Sequence, residues 1–100
     1  MKLYKVASLK EIQKKKKMLV NINGRTIAIF LIKGEILAVN NFCPHQGGSL
    51  YDGKMSRTNI TCPLHGRVYS LLTGKCINII GSPLEKYKTK IENEEIFIFI

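Results

Sequence analysis

Two short runs in this chain carry residue types suited to inorganic chemistry, Cys43-Pro44-His45 and Cys62-Pro63-Leu64-His65. Each offers one thiol and one imidazole, and the sixteen residues 46–61 separate them. The chain's two histidines both fall in these runs. Glycine follows each run, Gly47 and Gly48 after the first and Gly66 after the second. Proline fixes φ beside a ligand, and glycine lets a loop backbone come close to a buried object. Thiolate and imidazole together suit zinc, copper or an iron–sulfur cluster. The two loops therefore read as a clamp on something inorganic. Both histidines sit among proline and glycine, not on an apolar strand face, which argues against metal-free core histidines.

The pattern Cys-x-His, sixteen residues, Cys-x-x-His resembles the Rieske-type ferredoxin family, in which two Cys hold one iron of a [2Fe-2S] cluster and two His the other. The first loop of that family is similar to Cys43-Pro44-His45-Gln46-Gly47-Gly48-Ser49-Leu50. The second loop and the hairpin after it are similar to residues 62–74, and the late Pro83-Leu84 also fits. By position, the resemblance implies Cys43 and Cys62 on one iron of a single cluster and His45 and His65 on the other. It places Gly47, Pro63, Gly66 and Tyr69 around those ligands. With two bridging sulfides and two protein ligands per iron, no coordination position is left for a substrate. No catalytic residue is expected, and the implied function is one-electron transfer, not catalysis. A Cys2His2 zinc site is the competing metal reading, but each short pair here mixes one Cys with one His and no amphipathic helix carries the second pair.

Departures from the family bear on reduction potential. High-potential members carry an extra Cys in each loop, joined as a disulfide; the matching positions are Gly48 and Leu64. A serine that bonds a bridging sulfide is replaced by Arg67, while the tyrosine that bonds a ligand sulfur is kept as Tyr69. Hydrogen bonds to sulfur stabilise the reduced cluster, so losing one and keeping one implies a value in the lower half of the Rieske range of about −150 to +300 mV.

One hundred residues make one domain, 1–100, with 45% hydrophobic residues and a small core that a bound cluster would help to hold. No apolar run approaches a membrane span, and the first residues lack a signal-peptide core, so a cytoplasmic protein without membrane partners is expected. Of three cysteines, two are claimed by the cluster; Cys76 is left alone and reads as a small core hydrophobe. The net charge of +9 includes the lysine run 14–17, read as a solvated turn before a strand, with steering toward an acidic partner as the functional alternative. No nucleic-acid motif accompanies the lysines, and no nucleic-acid partner is expected.

The elements that must position the two loops are short strands. Residues 4–7, 19–22, 26–33, 36–40, 59–61, 68–70, 75–77, 87–91 and 95–100 read as strands, with turns at Asn23-Gly24, Gly34, Thr73-Gly74 and 92–94. Ser8-Leu9-Lys10-Glu11 matches a capping box before a single helical turn. The pattern implies an all-β chain, and the resemblance a small antiparallel β-sandwich or barrel with a cluster-binding subdomain over about 41–78. Three roles fit these features. The first is a free carrier, monomeric when isolated, passing electrons from a reductase to a terminal oxygenase of the ring-hydroxylating dioxygenase type or another acceptor. The second is the small Rieske subunit of an enzyme such as nitrite reductase. The third is a zinc-stabilised binding module.

Overall fold

The computed structural model describes residues 2–44, 47–64 and 66–100; Met1, His45, Gln46 and His65 lie outside the described residues. The chain runs β1 (Leu3–Ser8), α1 (Leu9–Lys15), β2 (Lys17–Ile22), β3 (Arg25–Ile32), β4 (Glu35–Asn40), a 3-10 turn (Leu50–Asp52), β5 (Lys54–Ser56), β6 (Asn59–Thr61), β7 (Val68–Ser70), β8 (Lys86–Tyr87), β9 (Thr89–Glu92) and β10 (Glu95–Phe99). The strands form three antiparallel sheets, ordered β1-β10-β9, β2-β3-β4-β8 and β5-β6-β7. The all-β expectation holds.

β3 is apolar at almost every position because both of its faces are covered. Successive side chains of a strand point to opposite faces. Ile27 and Ile29 therefore enter a core with Ile12, Ile96 and Ile98, while Ala28, Phe30 and Ile32 enter a second core with Cys43, Cys62 and Tyr69. The central sheet is thus a wall between a base and the half that carries the cysteine loops.

Two tight turns set the register of this wall. Asn23 and Gly24 have φ of 51° and 77°, and Lys33 and Gly34 have φ of 50° and 80°. Two consecutive left-handed residues match the twist of antiparallel strands. The helix is longer than the single turn expected. Ser8 and Glu11 form both halves of the capping box, and Ile12 is fully buried beneath it. Burial of that one side chain contributes about 1.5–3 kcal/mol. The lysine run is not a turn: Lys14 and Lys15 close the helix, Lys16 is its left-handed cap and Lys17 opens β2. Lys17 then donates to the Tyr51 carbonyl and lies over the Tyr51 ring, tying the base to the 3-10 turn.

Two further expectations change. Residues 75–77 form no strand; only an isolated bridge pairs Cys76 with Tyr69. Residues 87–91 are not one strand. β8 pairs with β4, and after Lys88 the chain passes to the other sheet as β9. The final strand is a core strand as expected, with Ile96 and Ile98 fully buried.

Candidate metal centre

The two cysteine loops share one construction. The Cys43 N–H donates to the Gly48 carbonyl at 2.9 Å, and the Cys62 N–H donates to the Arg67 carbonyl at 2.8 Å. Each loop thus closes onto a residue five positions on. The strand pair Thr61↔Val68 flanks the second loop, and the bridge Phe42↔Ser49 flanks the first. Proline is second in each loop, Pro44 and Pro63. A left-handed glycine is fifth, Gly47 with φ 74° and Gly66 with φ 68°. Those values explain both glycines, since a Cβ is strained there.

Between the loops lie the two sulfurs. Cys43 and Cys62 are 3% and 1% exposed. Cys43 and Cys62 pack in one buried cluster. Burial pushes the Cys62 thiol up, the Leu64 backbone N–H opposes this, and the Cys43 thiol adds to it. Tyr69, 1% exposed, brings its hydroxyl to 3.2 Å from the Cys43 sulfur. Burial is the main reason that its phenol is raised far above the ordinary range. Gly48 is required by space: a Cβ there would come within 2.8 Å of the Cys62 sulfur and 3.1 Å of Leu64 Cγ. The positions that carry the family's disulfide therefore face each other, as glycine and leucine. His45 and His65 lie outside the described residues.

Asparagines hold the loops at their bases. Asn41 is buried; its amide donates to Ser49 Oγ at 3.0 Å and its carbonyl oxygen accepts from the Tyr51 N–H at 2.9 Å. Asn78 accepts from the Val68 N–H at 3.0 Å and donates to the Gly66 carbonyl at 3.0 Å. Neither stood out in the sequence. Each is a polar residue within or beside an apolar run, Leu37-Ala38-Val39 before Asn41 and Ile77, Ile79 and Ile80 around Asn78, and that was the available signal. Cys76 packs at the edge of the same core, consistent with a small hydrophobe.

Two converging buried thiols, with a hydroxyl beside one and a glycine backbone packed against the other, form a soft donor set. That fits a thiolate-held iron–sulfur group.

Comparison with known proteins agrees. Residues 2–88 match the model of the Rieske [2Fe-2S] domain. The ferredoxin component of the naphthalene 1,2-dioxygenase/salicylate 5-hydroxylase systems of Ralstonia sp is 34% identical over 80 residues, covering 79% of this chain and 77% of that one. The fold is also that of a chain in the complex of reduced oxygenase and oxidised ferredoxin of carbazole 1,9a-dioxygenase, with TM-score 0.87, 23% identity, and 96% of this chain and 91% of that one covered. A putative small subunit of an NADPH nitrite reductase has TM-score 0.83 at 18% identity, with 100% of both chains covered, a likeness of fold alone. With loops, buried thiols and relatives in agreement, the chain belongs to the Rieske [2Fe-2S] domain family, whose single Rieske-type cluster makes it an electron-transfer protein.

Proposed function

We propose that this protein is the ferredoxin component of a dioxygenase-type system, taking one electron at a time from a reductase and delivering it to a terminal oxygenase. The observation that carries this reading is the pair of matched loops converging on two buried thiols, in a chain 34% identical to a dioxygenase ferredoxin. The nitrite reductase subunit shares the fold at 18% identity, so it lends that role no comparable support. Cytoplasmic location is part of the proposal; among the described residues no helix is long and apolar enough to cross a membrane.

Cys43 and Cys62 would hold one iron and His45 and His65 the other. When bound, a Rieske-type cluster supplies a one-electron couple. The chain's own residues prepare for it. Burial of both cysteines keeps water from the sulfurs, and binding releases their thiol protons. With Cys43 as thiolate, the Tyr69 hydroxyl becomes the donor and the Leu64 N–H donates to Cys62. The cluster-binding subdomain, residues 41–78, contains β5-β6-β7, both loops and both anchoring asparagines.

The test is spectroscopic. Protein isolated without oxygen is expected to be red-brown and to give, after dithionite, the low average g of a mixed Cys/His-ligated centre. Cys62→Ala should lose iron entirely. Colourless protein with stoichiometric zinc would overturn the electron-transfer reading in favour of a structural metal module.

A further inference from the structure

Gly48 and Arg67 hold the same place in their loops, the sixth residue, whose carbonyl receives the cysteine N–H. In the first loop that residue has no side chain because the opposite sulfur occupies the space. In the second loop it carries a cation. The Arg67 side chain, half-buried, reaches across to the segment at 81–83. A Cβ on Gly81 would fall 2.7 Å from Arg67 Nη1. Gly81 does not need glycine for its backbone, since its φ is not left-handed; what a side chain would lose is the space the guanidinium fills. Arg67 lines a cavity of about 240 Å³ with Pro44 of the first loop, Tyr69, Gly81 and Ser82. Its charge is felt at the Tyr69 hydroxyl, where it opposes the upward push of burial. That hydroxyl is 3.2 Å from the Cys43 sulfur.

We propose that Arg67 is a positioning residue for electron transfer: its guanidinium, seated in the space that Gly81 leaves open, fixes a positive charge beside the Tyr69–Cys43 pair and raises the reduction potential of the bound cluster. Reduction places one electron, and so one negative charge, on the centre without making or breaking a bond to Arg67. A fixed cation stabilises the reduced form more than the oxidised one, the more so in a partly buried setting where water screens less. Arg67 stands where the family's high-potential members use a serine, so a charge takes the place of a hydrogen bond as the means of raising the potential. The inference rests on the reading that Cys43 is an iron ligand.

The experiment is a spectroelectrochemical titration of the loaded protein beside Arg67→Gln, Arg67→Lys and Gly81→Ala, at low and high salt, with EPR of each. Arg67→Gln should lower the potential, and high salt should shrink its difference from the parent. Arg67→Lys should recover part of the loss, since a point charge replaces the planar fork. Gly81→Ala keeps the charge but displaces it, because the atom in the way is the far end of a flexible side chain, and it should also lower the potential. Unchanged potentials in Arg67→Gln and Gly81→Ala, with parental EPR signals, would overturn the proposal. Should Arg67→Gln fail to hold iron, Gly81→Ala decides alone by the same criterion. If the parent protein shows no mixed-ligand signal, the underlying reading fails and this one with it; a normal signal with unmoved potentials sinks this one only.

Discussion

The base and the loop-bearing half share one wall, β3, yet they are held by different means. The base is regular structure closed by local signals. Its strands are joined by two-residue turns, its helix is capped at both ends, and its core includes five fully buried isoleucines, Ile12, Ile27, Ile29, Ile96 and Ile98. The other half has three strands of three residues each and long stretches without repeating hydrogen bonds. Its order comes from side chains that replace backbone partners, Asn41 and Asn78, and from a core that ends in two cysteines. The base can therefore stand on apolar burial, whereas the loops end in two thiols that, on the proposed reading, would be tied together by iron.

Core truncation should show the contrast most strongly. Ile96→Ala in the base is expected to cost about 2–5 kcal/mol and Phe30→Ala on the other face of the wall about 3–5 kcal/mol. In denaturant titrations, Ile96→Ala should lose the same amount with and without iron. Phe30→Ala should lose less in the iron-free protein, where the loops it supports are already loosened. Equal losses for both variants in both forms would dissolve the distinction between the halves. Asn41→Ala comes next, removing the acceptor of the Tyr51 N–H; an unpaired group of this kind costs about 1–3 kcal/mol. Hydrogen exchange should quicken at 49–53 and leave β1 and β10 unchanged.

A smaller effect, of opposite sign, is expected in the base. Asn93 and Glu94 form the β9–β10 turn with φ of 51° and 63°, and glutamate is poorly suited to that conformation. Glu94→Gly should stabilise the protein by about 0.5–1 kcal/mol, read as a rise in Tm. The smallest effect concerns acid. The Glu11 carboxylate accepts from the Ser8 N–H, which chiefly holds it below the ordinary carboxylate range. A lowered carboxylate stabilises the fold above its unfolded pKa, and the gain is lost as pH falls through the folded value. Glu11→Gln, which removes the titrating carboxyl, should therefore flatten the acid limb of Tm against pH while leaving the neutral-to-alkaline limb parallel to that of the parent.

The same contrast decides how much was legible in the sequence. Asn23-Gly24 and Ser8–Glu11 act through their own backbones, so the turn and cap could be read directly. The spacing of Cys43 and Cys62 marked both loops, and the structure brings the two sulfurs together in one buried place. What remained hidden depends on distant partners. Residues 75–77 read as a strand, but the Val68 N–H that would have extended the ladder is taken by the Asn78 side chain. The run 87–91 has strand composition throughout, yet nothing local says that its two ends belong to different sheets. β5 escaped notice because Lys54, Met55 and Ser56 are too few and too polar to show a period. Arg67 over Gly81 joins residues fourteen apart through a side chain, a contact that no spacing rule contains.

The wall also has a consequence in time. β2, β3 and β4 follow one another directly through two-residue turns, so this meander closes without a long loop. Hairpins of this kind form in about 1–10 μs, whereas the ends of the β1-β10 ladder lie almost a full chain apart. The meander is thus the natural nucleus, with Phe30 and Val39 already presented on the side where the cysteine loops will settle. The cysteine loops would then condense on a prebuilt surface.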